Sequence, residues 1–178
     1  IQDYLQRNCD CHPLVIGALA GLVNNHMPDR SNFDSWLADP QAGGKLGLAD
    51  MDLTQRRNHI LDTAIDALSV EGRKLLQTLS LLQSGASYET LKEFNPHLPP
   101  EPVKPSSPDE ARFSWKRKTD DEKHEAKLKY RAANAEYQIA YEKWRLSSAV
   151  RSAPEQFNAT LRELERRGLV QYEIEVKR

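Results

Sequence analysis

The stretch SAPEQFNATLRELERRGLVQYEIEV, residues 152–176, reads as a capped helix running straight into a strand. Ser152, Pro154 and Glu155 open it as a capping box with proline in the first turn, so a hydroxyl and a carboxylate satisfy amide donors that have no partner there. Phe157, Leu161 and Leu164 recur at helical spacing among Arg162, Glu163, Glu165, Arg166 and Arg167, which makes one apolar stripe on a charged cylinder. Gly168 supplies the left-handed residue that ends the helix. From Leu169 the period changes to two: Val170, Tyr172, Ile174 and Val176 face one way, and Gln171, Glu173, Glu175 and Lys177 the other.

A helix followed by a half-buried strand is the ending of a winged-helix module, in which the last helix feeds the wing. No partner strand follows before Arg178, so the sequence is expected to be a piece of something longer. Working outward, the preceding apolar patterns supply the other helices of such a module. Asp52 or Thr54 caps a helix with Ile60, Leu61, Ala64, Ile65 and Leu68 in its stripe; Ser69 restarts the chain with Leu75, Leu76, Leu79 and Leu82; Ser87 caps a third with Tyr88, Leu91 and Phe94.

Between the third helix and the last lies an interruption, residues 95–151. Its first part carries Pro96, Pro99, Pro100, Pro102, Pro105 and Pro108, too dense for helix and too poor in amide donors for sheet, so an extended arm is expected. Thr119 and Glu122 then form a capping box, and a long helix to about Val150 is predicted. On it Tyr130, Tyr137 and Trp144 repeat every seven residues, with Ala126, Ala133 and Ala140 four ahead of each. These three aromatics are the candidate interaction residues: a heptad seam calls for a helical partner, within the chain's own domain or on another surface.

At the other end, residues 1–8 read as the end of a helix with Tyr4 and Leu5 as contacts. Pro13 starts the most apolar stretch, Leu14 to Val23, expected to be a helix buried all round, in which Gly17 and Gly21 leave a smooth face for another backbone. It is too short to span a bilayer, which takes about 20 apolar residues. Asn32 or Ser31 caps a short helix with Phe33, Trp36 and Leu37, and residues 41–50 read as a glycine-rich loop. The domain reading is a small helical domain over 1–50 and a winged-helix domain over 51–178, interrupted at 95–151: a mainly α fold with a short β wing.

The 178 residues carry 25 basic and 26 acidic side chains, which gives no global field to draw nucleic acid or anionic membrane. Cys9 and Cys11 suit neither a disulfide framework nor a zinc site; free thiols in a reducing, cytoplasmic setting are expected. Cys9, Cys11, His12 and His26 match no common metal spacing, and His59, His97 and His124 have no nucleophile or acid beside them in sequence. No phosphate loop, G-x-S-x-G or H-E-x-x-H is present, so catalysis by this stretch alone is not expected. Arg162, Arg166 and Arg167 raise the alternative of a winged-helix DNA-binding transcription regulator, but Glu163, Glu165, Glu173 and Glu175 on the same segment would repel phosphates. A helical scaffold with a protruding arm is a third reading.

Two stretches together resemble a known family. Cys11-His12-Pro13-Leu14-Val15-Ile16-Gly17-Ala18-Leu19-Ala20 is similar to the G-x-P-L segment that opens the small helical domain after the nucleotide-binding core of NB-ARC proteins, a branch of the STAND class of P-loop ATPases. The run from Asp62 to Leu82, followed by residues 161–170, resembles the winged-helix domain that comes next in that family. The resemblance implies a signal-transducing molecular switch: an ADP-bound closed state held by these domains, which rearrange on exchange for ATP with magnesium and allow homo-oligomerisation. It implies Pro13 and Leu14 as adenine contacts, although Pro13 reads equally well as the start of a buried helix. The implied partner is an upstream nucleotide-binding domain of the same chain. The family's phosphate loop, magnesium aspartate and histidine sensor would lie outside these residues, so tight nucleotide binding by this stretch alone is not expected.

Overall fold

The computed structural model describes residues 1–27, 29–82, 84–108 and 119–171. They are mainly helical and fall into two units, Ile1–Pro96 with the described residues from Gln156 on, and His97–Glu155. Among the described residues there are eight α-helices and no strand. Of the expected wing strand, Leu169 to Gln171 are not strand, and the remainder from Tyr172 lies outside the described residues.

The first unit contains α1 (Gln2–Cys9), α2 (Pro13–Asn24), α3 (Phe33–Ala38), α4 (Leu53–Asp66), α5 (Val70–Leu79) and α6 (Tyr88–Lys92). Local chemistry starts most of them. Pro13 sits in the first turn of α2; Asn32 accepts from the Asp34 and Ser35 amides; Asp52 and Gln55 close a capping box; Ser69 and Ser87 accept from the Gly72 and Thr90 amides. The expected loop at 41–50 is wound into two 3₁₀ turns, Gly44–Leu46 and Leu48–Asp50, which bury Leu46.

One core joins Cys9, Val15, Ala18, Leu19, Val23, Trp36, Leu46, Ile60 and Ala64. It is built from α1, α2, α3 and α4 together, so the packing that begins with α1 runs past residue 50 into α4. A second core joins Leu68, Leu75, Phe157 and Leu164, with Tyr88 and Leu91 against it. Leu169 packs on both. The expectation that α2 is buried all round is corrected: Pro13 and Ala20 are exposed, and Leu14 is 45% exposed. α1 and α4 pack on α2, and no described element covers the outer side of its first turn completely.

The last helix, α8 (Ser148–Arg166), also starts differently from expectation. It begins four residues before Ser152, with the Ser147 hydroxyl accepting from the Val150 amide at 3.3 Å, and Pro154 lies inside it. The ring's fixed φ suits a helix, but its missing N–H forfeits the bond to the Val150 carbonyl and the ring crowds that carbonyl. Phe157 and Leu164 on the predicted stripe are fully buried. The helix ends as read from the sequence: Gly168 has φ 66°, its amide bonds the Glu165 carbonyl, and the Leu169 amide bonds the Leu164 carbonyl at 3.1 Å. That is the paired bonding of a Schellman cap.

This cap rests on the glycine face of α2. A Cβ on Gly17 would stand 2.7 Å from the Gly168 carbonyl oxygen, and one on Gly21 would run into the Arg167 carbonyl group. Asn25 ties the same two ends, its amide donating to the Gly21 carbonyl at 2.7 Å and to that of Arg166 at 3.5 Å. The smooth face expected at Gly17 and Gly21 is therefore where two backbones meet.

The second unit holds the proline-rich arm, α7 (Asp120–Arg145) and the beginning of α8. Thr119 and Glu122 form the capping box of α7. The helix stops at Arg145, before the expected Val150, where the Ser147 amide turns back to the Trp144 carbonyl.

Substituting Gly21 with alanine should lower stability by about 1–3 kcal/mol, because the added methyl forces packed backbones apart. At Gly85, where a Cβ meets nothing within 4 Å, alanine should stay within about 0.5 kcal/mol of the parent in the same urea titration.

Candidate functional site

Two surfaces carry the residues that the sequence singles out. The first is the exposed opening turn of α2. It follows a tight reversal in which Asp10 and Cys11, neither of them glycine, take φ values of 47° and 53°. Two arginines of α4 brace that reversal. Arg57 donates to the Cys9 carbonyl at 3.1 Å and pairs with Asp10 at 2.7 Å; Arg56 reaches the carbonyls of Leu48 and Arg7 at 2.9 and 3.2 Å. Neither arginine was singled out from the sequence, because their acceptors, main-chain carbonyls and the Asp10 carboxylate, lie more than forty residues away or in a neighbouring turn. They fix where Pro13 and Leu14 stand. His12, exposed at the N-cap, makes no side-chain cap bond, so the opening of α2 presents His12, Pro13 and Leu14.

The thiols on either side of this turn differ. Cys9 is fully buried, and burial, then the neighbouring Cys11, push its pKa up against an opposing effect of Arg57. Cys11 is exposed, its thiol donating to the Gln6 side-chain amide oxygen, Oε1, at 3.3 Å. Both are free.

The second surface is the aromatic side of α7. Tyr137, Tyr141 and Trp144 form a continuous series of rings with centroids 5.8 and 5.6 Å apart. Tyr141 was missed: the period of seven picks out Tyr137 and Trp144, whereas spacings of four and three add Tyr141 between them. Tyr130 is half-buried on the same side two turns earlier, with Ala126 and Ala133, whereas Ala140 is exposed. The helical partner expected for this seam is replaced, within the unit, by the arm. The Trp144 indole N–H donates to the Pro99 carbonyl at 3.1 Å. Partial burial, then the Glu101 carboxylate and Tyr141, raise the pKa of Tyr137.

The first unit also has a cleft of about 630 Å³, lined by His26, Trp36, Lys45, His59, Asp66 and Arg167 among others. Its one hydroxyl-bearing wall residue, Thr63, donates to the His59 carbonyl of its own helix at 2.7 Å, so it is not held as a nucleophile by any base. His26 is buried with its Nε2 3.8 Å from the Asp39 carboxylate. Among the described residues, no helix is long and apolar enough to cross a membrane. Comparison with known families, curated proteins and solved structures finds no match to this chain.

Two outcomes are expected. A thiol reagent should modify one cysteine of the native chain, Cys11, and reach Cys9 only on unfolding; two rapid equivalents would contradict the buried thiol. In an NMR titration, Glu101→Gln should move the Tyr137 phenol down toward its ordinary value without reaching it, since the larger cause is burial. An unchanged value would mean that the arm does not stand beside that ring in solution.

Proposed function

We propose that this chain is the helical regulatory module of a STAND-class, NB-ARC-type ATPase, acting by conformational switching. One observation carries the reading. Pro13 and Leu14 are exposed on the opening turn of α2, while the glycine face one and two turns further on is locked against the end of α8. A group that presses on the opening turn therefore acts on the same rigid helix that holds α8. A proline and a leucine without charged neighbours in the turn suit the flat, apolar face of an adenine ring.

The order α4, α5, α6 and then α8 supports a winged-helix reading of the later part, with the arm and α7 as its insertion; α5, α6 and α8 surround the core of Leu68, Leu75, Phe157 and Leu164, while α4 packs into the first core. ADP or ATP with magnesium would be held mainly by an upstream domain of the same protein, and the closed state would be the one in which α2 and α8 remain joined. Release would allow homo-oligomerisation in a cytoplasmic signalling pathway. DNA readout is the weaker reading, because exposed Glu165 stands between exposed Arg162 and Arg166 on α8.

The test uses the protein with the nucleotide-binding domain that this reading requires. Leu14→Asp should weaken ADP binding about tenfold, a change of about 1.4 kcal/mol, with unchanged helical circular dichroism. Unchanged ADP affinity would overturn the adenine contact, and salt-dependent binding of duplex DNA by the unmodified chain would favour the regulator instead.

A further inference from the structure

The arm is more regular than a connector has to be. Pro99, Pro102 and Pro105 recur every third residue and are all half-buried, whereas Pro100, Glu101, Val103 and Lys104 between them are exposed, Val103 by 91%; the alternation ends at Ser107 and Pro108, both half-buried, where the chain begins a turn. Three residues per turn is the period of a polyproline II helix, so the buried prolines form one edge of such a helix.

The direction and length of the contact agree. Pro99 is bonded to Trp144 and Glu101 acts on Tyr137, so the arm runs antiparallel to α7. The six steps from Pro99 to Pro105 span about 19 Å at about 3.1 Å each. About twelve helical residues at about 1.5 Å each cover the same length. Counted back from Trp144, that length ends close to Ala133, and the half-buried side of α7 over that stretch runs through Ala133, Tyr137, Tyr141 and Trp144.

The chemistry is that of proline recognition. Flat rings suit pyrrolidine edges, and the Trp144 indole N–H bonds a carbonyl that lacks an internal partner in polyproline II. That bond goes to main chain, so any segment with prolines at this spacing could make it. The contact is also shallow, as no residue of α7 is fully buried. A contact that buries so little opens readily.

We propose that the aromatic side of α7 is a receptor for polyproline II segments, occupied in cis by this chain's own arm, and that its partner in trans is a proline-rich segment with prolines at every third residue. The arm is then a built-in competitor, and a trans segment binds by displacing it. This inference does not depend on the nucleotide reading.

The experiment is a fluorescence-anisotropy titration with a labelled peptide of residues 96–108. The full chain with Pro99→Ala, Pro102→Ala and Pro105→Ala should bind it about ten times more tightly than the unmodified chain, where the arm competes at high effective concentration. Adding Trp144→Ala and Tyr137→Ala should abolish binding, and a peptide with alanine at every proline should not bind. If the triple variant loses helical circular dichroism, Pro99→Ala alone takes its place, with a smaller gain in the same direction. Equal binding to the unmodified and arm-substituted chains, no binding to either, or equal binding of the alanine peptide would each overturn the proposal.

Discussion

The contact between the glycine face of α2 and the cap of α8 is the constraint on which the first unit depends. Gly17 and Gly168 meet with no Cβ on either side, and Gly21 lies against the backbone of Arg167, so two segments about 150 residues apart in sequence approach closely because glycines line the contact. The approach also fixes Leu169. As the residue after the left-handed cap, it turns back over α8 and packs on both cores, so the Schellman turn acts as a keystone as well as a terminator. A residue with a Cβ in place of Gly168 would strain the left-handed turn and run into the Gly17 carbonyl.

A second link joins α5 and α8. Glu163 accepts from the Ser69 amide at 2.8 Å and from its hydroxyl at 2.6 Å, while the same hydroxyl accepts from the Gly72 amide. The cap of α5 is thus completed by a carboxylate on α8, opposite the face that carries Phe157 and Leu164 into the core only in part, since Glu163 itself is half-buried. A charge-assisted bond in that position ties the start of one helix to the middle of another. Together with Tyr88, whose hydroxyl donates to the Asn158 side chain at 2.8 Å, it sets the rotation of α8 about its axis.

What was legible in the sequence follows the range of the interaction. Caps at Asn32, Asp52, Ser69, Ser87 and Thr119 bond amides two or three residues away, so a short motif contains the signal for the cap, though not the Glu163 bonds that complete it at Ser69. The left-handed Gly168 and the apolar stripe of α8 were legible for the same reason. The upstream start of α8 was hidden because Ser152, Pro154 and Glu155 satisfy a capping motif that Ser147 pre-empts. The braces from Arg56 and Arg57 were hidden because main-chain carbonyl acceptors leave no trace in side-chain pattern, and the Asp10 partner of Arg57 lies 47 residues away, beyond any local spacing. Of the candidate sites, Tyr137 and Trp144 were found by period, but their covering arm was read as a spacer, and Tyr141 fell between two counts.

The two units are held together by different physics, and this bears on how each can change. In the first, Phe157, Ile60, Leu75 and Leu164 are fully enclosed, and opening any of them exposes apolar surface at about 25 cal/mol per Å². In the second, α7 has its own capping box, acids in the first turn and bases in the last, so the helix is stabilised largely along its length and its aromatic side is only half covered. The arm contributes little conformational entropy to lose, because its prolines restrict the extended state in advance. A preformed rod on a preformed helix can separate and rejoin without either partner unfolding, and for that reason the arm and α7 are better suited to exchange than any pair of elements in the first unit.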